Sequence, residues 1–260
     1  MLIVVPTFAM YEIYARMTGA RVISIPAGNN CAVPEHAVMA AITARTRLIA
    51  IANPNNPTGT LIAADEMDSF VDRLPAHVLL VLDEAYGDFA EHLANQRKIV
   101  YSHALEYVTQ GRNVILLKTF SKAHGLAGLR VGYGIGTEKL ISLFTPLRTI
   151  FSVSSFGQAA AAAALHDSDH IQKAVENNAE QAEVVTARLG KLGFNVPQTW
   201  ANFVYCELCQ DAASFSDRLR ERGFVVQPLG LWGAPTAIRV SIGTPKQNDK
   251  FLAAMKTLRL

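Results

Sequence analysis

An α/β fold with a largely parallel sheet, followed by a smaller α+β segment, is predicted by three features of the sequence. Short β-branched apolar runs alternate with helical periods through the first half of the chain. Polar clusters stand directly after three of those runs. A long amphipathic helix then precedes a second, more compact group of strands and helices.

In chain order, residues 2–5, 22–25, 48–52, 78–82 and 114–117 are apolar and β-branched enough to be buried strands. Pro34 suits a first-turn position and predicts a helix start. Met67, Phe70, Val71 and Leu74 fall at i, i+3, i+4 and i+7 and define one face of another helix. The alanine run 159–164 is read as helix on propensity alone. From 169 to 192, Ile171, Ala174, Val175, Ala182, Val185, Leu189 and Leu192 make one stripe, which Gly193 ends. A domain boundary is placed there, giving 1–168 and 169–260. Beyond it, strands are predicted at 203–206, 225–226 and 238–242, and helices at 212–221 and 244–258.

The chain has 260 residues, half of them apolar and 18% charged, enough for a sizeable core and for two domains. Its 24 basic and 22 acidic residues are spread out, so no electrostatic stripe predicts a nucleic acid or an anionic membrane as partner. A small molecule is expected instead. The apolar start, residues 1–5, lacks a basic leader and meets Pro6 at once, too short for a signal peptide or a membrane span. Cys31, Cys206 and Cys209 cannot form a disulfide framework, and the Cys206/Cys209 pair is read as packing, with no metal site assigned. A reducing cytoplasm is the expected location.

The polar clusters are Asn53 to Gly59, Asp83 to Tyr86, and Thr119 to Lys122, the last followed by Arg130. Ligands of open α/β sheets bind at the carboxyl ends of strands, so these clusters are expected to converge. A lysine amine, a carboxylate and an anion-binding arginine together meet the needs of a pyridoxal phosphate site.

On these residues, with Pro6 to Tyr11 and Ile238 to Thr244, the chain resembles fold-type I aminotransferases, and among them the histidinol-phosphate aminotransferase family. The resemblance covers nearly the whole chain. It implies the PLP-transferase fold, with 1–168 the large cofactor-binding domain and 169–260 the small C-terminal domain, and a homodimer. It implies that Lys122 forms the Schiff base with pyridoxal 5'-phosphate and moves the proton at the substrate's α-carbon. Asp83 matches the acid paired with the pyridine nitrogen, and Asn56 and Tyr86 match the groups that hydrogen-bond the 3′ oxygen. Thr119, Ser121 and Arg130 resemble the phosphate cradle. Phe8 aligns with the aromatic stacked on the ring, Arg239 with the arginine that grips the substrate's anionic group, and Asn202 with the mouth of the site. His124 is read as structural.

Two departures bear on function. The family has an N-terminal arm and a glycine-containing turn before the point where this chain begins, so the sequence is read as a fragment whose apolar faces are expected to lie open. The family commonly has a second arginine where this chain has Gln227, which favours a carboxylate over a phosphate and raises aromatic or other α-amino acids beside histidinol phosphate as donors to a 2-oxo acid such as 2-oxoglutarate. A decarboxylase or lyase using the same cofactor, and an inactive fragment serving as a dimer partner, are the alternatives.

Overall fold

In a computed structural model that describes residues 1–259, the first strands form one six-stranded sheet. Its members are β1 (Leu2–Val5), β2 (Ile23–Pro26), β3 (Leu48–Ala52), β4 (Leu79–Asp83), β5 (Val114–Thr119) and β6 (Gly132–Ile135). Their order is β2-β1-β3-β4-β5-β6, parallel throughout except for the antiparallel β5–β6 pair. Parallel strands covered on both faces read as continuous apolar runs, which is why 48–52 and 78–82 were legible. The strand order reverses between β1 and β3, and such a switch point opens a crevice at the strands' carboxyl ends.

Helices α1 (Met10–Met17), α2 (Glu35–Ala40), α3 (Ala64–Arg73), α4 (Gly87–Arg97) and α5 (Ala104–Thr109) fill the connections, and α6 (Glu138–Phe144) and α7 (Ser155–Ala164) follow β6. Met67, Phe70 and Val71 of α3 pack with Leu2, Ile49, Leu80, Leu82 and Leu116 of the sheet. Each such burial contributes about 1.5–3 kcal/mol. Pro34 stands just before α2 rather than inside it; the strands predicted at 22–25, 78–82 and 114–117 shift by one or two residues at their ends, those at 2–5 and 48–52 match, and the one predicted at 238–242 begins four residues earlier, at Ala234.

α8 (Ser168–Lys191) leads into a three-stranded antiparallel sheet, β7 (Phe203–Glu207), β9 (Ala234–Ser241) and β8 (Gln227–Leu229), flanked by α9 (Ala212–Arg220) and α10 (Pro245–Arg259). The 168/169 division falls at the start of α8, and Leu260 lies outside the described residues. Val175 of α8 packs with Tyr86 and Phe89, and Ala179 with Ala90 and Leu93 of α4. One face further on, Val185 and Leu189 enter the second core with Phe215, Leu219 and Ile238. One rigid helix thus ties the small sheet to the large one. Gly193 stops it in the left-handed conformation at φ +78°, where a Cβ is unfavourable.

Two strand readings need correction. Residues 225–226 are not a strand; the pairing begins at Gln227 and includes Pro228. β8 is an edge strand, where proline is tolerated because one row of amides has no partner, and Val225 is exposed. β6 escaped notice because Gly132, Tyr133 and Gly134 do not form an apolar run, and the strand is largely exposed. Large apolar side chains also stand open along α6, α7 and the turn between them, among them Leu147, Ile150, Phe151 and Phe156. Among the described residues, no helix is long and apolar enough to cross a membrane.

Candidate active site

The carboxyl ends of β1, β3, β4 and β5 hold the polar loops that the sequence singled out, and hydrogen bonds between loops fix their spacing. Thr7 Oγ1 donates to Asn55 Oδ1 at 2.8 Å, and Asn55 Nδ2 donates to the Pro6 carbonyl at 2.9 Å, joining the loops after β1 and β3. The Asn53 side chain bridges to Ile62 in both directions, each bond 2.9 Å. Gly59 sits at φ +73° with its carbonyl accepting from Trp200 N at 2.8 Å, and a Cβ there would collide with Thr199. The close approach locks the loop after β3 against the segment leading into β7.

That lock brings the two sheets' functional groups together. Arg239, in the middle of β9, donates from Nη1 to Asn56 Oδ1 at 2.6 Å. Its guanidinium lies 5.0 Å from the Phe203 ring centroid and 5.7 Å from that of Trp232. A small cavity beside it is lined by Phe8, Tyr11, Asn56, Asp83, Tyr86 and Lys122, among others. Lys122 Nζ is 4.9 Å from the Tyr86 ring centroid, and Tyr86 is wedged edge-on against Phe203 at 5.1 Å. Phe8 is flanked by Tyr11 at 5.5 Å and Trp232 at 6.2 Å. A larger cavity of about 890 Å³ opens beside β6 and α7, but its walls are mainly apolar, including Val131, Phe151 and Leu165.

The electrostatics follow from burial and from which charges face one another. Burial pushes the Asp83 carboxyl above its ordinary value, against hydrogen bonds from Tyr11 Oη (2.7 Å) and Ala85 N (3.0 Å) and the charge of Lys122. Burial also lowers the Lys122 amine, assisted by the Arg239 and Arg130 charges and opposed by Asp83. The Tyr86 phenol is pushed up to about 12 by burial, with Arg239 opposing and Asp83 adding. A lysine shifted downward beside an acid is the arrangement expected of a group that must exchange protons near neutral pH.

The remaining expected residues lie around this centre with differing engagement. Arg130 is exposed, in the left-handed conformation at φ +56°, and donates to the Ala127 carbonyl at 2.9 Å. The Thr119 hydroxyl donates to Val131 O at 3.3 Å and accepts from Ser121 N at 3.1 Å, so it braces the turn that carries Lys122. Gln227 stands directly opposite Arg239 in the β8–β9 pairing, which places both side chains on one face of the sheet, but it is exposed and its amide donates to Pro228 O at 3.0 Å. Asn202 accepts from Ile242 N through its backbone carbonyl, and its side chain is not among the walls of the small cavity. His124 packs edge-on to Phe120 at 4.8 Å.

Two residues of this centre were not assigned from sequence. Tyr11 lies inside the Pro6 to Tyr11 motif, but only its aromatic neighbour Phe8 stood out. Trp232 precedes the turn at Gly233, a signal for loop rather than site. Among the described residues, no group of His, Cys, Asp or Glu side chains could hold a metal ion.

A family model described as aminotransferase class I and II matches residues 1–255. Histidinol-phosphate aminotransferase of Moorella thermoacetica is 41% identical over 256 residues, covering 97% of this chain and 64% of that protein. The enzyme of the same description from Akkermansia muciniphila is 37% identical over 249 residues, covering 96% and 66%. The solved structure of histidinol-phosphate aminotransferase from Sinorhizobium meliloti in complex with pyridoxal-5'-phosphate superposes with a TM-score of 0.89 at 28% identity, covering 99% of this chain and 70% of that one. The chain therefore spans about two thirds of the length of these curated relatives. With the parallel sheet, the loops at its switch point and a family match over nearly all its residues, the chain belongs to the aminotransferase class I and II family.

Proposed function

We propose that this chain carries the active site of a pyridoxal-phosphate-dependent aminotransferase, which moves an amino group from histidinol phosphate or an aromatic or other α-amino acid to a 2-oxo acid. The observation that carries this reading is the convergence of Lys122, Asp83, Tyr86 and Asn56 on one cavity beside Arg239. The donor set fits the cofactor: an amine to attach it, a carboxylate with spare lone pairs for a ring nitrogen, an amide and a phenol for an oxygen substituent, and an aromatic wall at Phe8. Ala52 and Ala85 line the same cavity with small side chains.

When bound, pyridoxal phosphate supplies an electron sink for the charge that develops at the donor's α-carbon. The lowered Lys122 amine can take a proton there and return it. Asp83, ionised, can hold a proton on the ring nitrogen. Arg130 and the Ser121 hydroxyl are the donors we assign to the cofactor phosphate, on the turn braced by Thr119. Arg239 is assigned to the donor's anionic group and Asn202 to the rim of the same mouth. A homodimer in the cytoplasm completes the proposal.

The test is steady-state transfer to 2-oxoglutarate, with pyridoxamine phosphate measured in the half-reaction, and it extends to specificity. Gln227 shares a face with Arg239, yet an amide supplies no charge. Hydrogen bonds to charged partners are worth about 1.5–3 kcal/mol against roughly 1 kcal/mol for neutral ones. Gln227→Arg should therefore raise kcat/KM for histidinol phosphate by about tenfold or more, with much less change for phenylalanine. No pyridoxamine phosphate with any of these donors would contradict the aminotransferase reading. An unchanged ratio of donors would remove Gln227 from the substrate site.

A further inference from the structure

Asp83 is held from two sides before any ligand is considered. Ala85 N donates to Oδ1 at 3.0 Å, a bond local to the turn that follows β4. Tyr11 Oη donates to Oδ2 at 2.7 Å across a separation of 72 residues, from the first turn of α1. The second bond is tertiary, and it exists because the loop after β1 is tied to the loop after β3 by Thr7 and Asn55. Tyr11 lines the same cavity as Lys122, and its ring is kept in place edge-on to Phe8 at 5.5 Å.

We propose that Tyr11 is a positioning residue, whose hydroxyl fixes both the orientation and the ionised state of Asp83. This inference rests on the aminotransferase reading for its consequence, though not for its geometry. A carboxylate offers about four lone-pair sites, so the bonds from Ala85 and Tyr11 fix its plane and leave capacity for a cofactor's ring nitrogen. The phenol can serve only as donor to Asp83, because burial and the adjacent carboxylate push its own ionisation well above the ordinary range. Hydrogen bonding to the charged form favours that form, and here it opposes the burial that raises Asp83. The other titratable groups that face Asp83 are Lys122, which also favours its charge, and the neutral phenols of Tyr86 and Tyr101. Tyr11 is thus the neutral side-chain donor that, with the Ala85 amide, favours the charged form of a desolvated carboxylate without adding a positive charge beside the Lys122 amine.

The experiment reads Asp83 directly. In the cofactor-free chain, the Asp83 side-chain carboxyl is followed by ¹³C NMR against pH, with Asp83→Asn used to assign the signal. Tyr11→Phe keeps the ring and its contact with Phe8 and deletes only the hydroxyl. It should move the Asp83 titration upward by about one unit or more, the size expected for losing a hydrogen bond to a charged group. Replacing Tyr11 with 3-fluorotyrosine makes the phenol a stronger donor and should move it downward. A residue that merely fills space would give neither shift nor the reversal of sign, and the fluorinated chain decides the matter if Tyr11→Phe does not fold. With cofactor added, Tyr11→Phe should lower kcat about tenfold while KM changes little. An Asp83 titration that stays put in the folded variants overturns the proposal. If the wild-type chain transfers no amino group, the aminotransferase reading falls, and the titrations still decide whether Tyr11 governs Asp83.

Discussion

Lys122→Ala is expected to lower amino-group transfer by about 10⁴-fold, the upper end of what a positioned general base contributes. The size follows from the site's composition. Among the groups lining the cavity, Lys122 provides the amine. Lys118, the nearest lysine in sequence, pairs with the buried Glu84 at 3.0 Å and is raised rather than lowered, with burial opposing that pairing. It cannot substitute without giving up its ion pair with the buried Glu84. Stopped-flow measurement of a single half-reaction checks this, because it isolates the proton-transfer step from product release. A loss of tenfold or less would mean that another group moves the proton.

Asp83→Asn is expected to reduce kcat by roughly 10²–10³-fold, the range seen when one preorganised electrostatic contact to developing charge is removed. Asparagine is nearly isosteric and can still accept from Ala85 N, so the loop should keep its shape. What is lost is the negative charge, and with it the means to hold a proton on the cofactor's ring nitrogen. Arg130→Ala should act differently. Arg130 is exposed and lies outside the small cavity, so its loss should weaken cofactor affinity more than turnover at saturating cofactor. Measuring kcat at saturation together with cofactor Kd separates the two. Equal effects of both substitutions on affinity alone would sink the assigned division of roles.

The central sheet was legible because both its faces are buried. Runs such as residues 48–52 and 114–117 carry apolar side chains toward both faces and leave little room for another assignment. β6 and β8 were not legible for the opposite reason. Both are short and lie at a sheet edge, β6 largely exposed and built on Gly132 and Gly134, β8 containing Pro228. The strand predicted at 225–226 followed two adjacent valines, but Val225 is exposed and the edge pairing uses backbone groups that sequence patterns do not mark.

The site was legible in its charged members. Asp83 and Lys122 stood out together, as members of polar clusters placed directly after apolar strands, and the resemblance supplied their expected roles and that of Arg239. The partners that shape them were harder to find. Tyr11 reaches Asp83 only after β1 and β4 are set into one sheet, and the Arg239 bond to Asn56 spans 183 residues. No local spacing encodes such contacts. Thr119 adds a contact that its place in the motif does not show: its hydroxyl also bonds the backbone at Val131 and Ser121.

Borohydride reduction of the chain loaded with pyridoxal phosphate, followed by peptide mapping, identifies the residue joined to the cofactor, which we assign as Lys122. The yellow colour should be lost and a single pyridoxyl group should be found on Lys122. A pyridoxyl group found instead on Lys118 or Lys139, with Lys122 unmodified, would contradict that assignment.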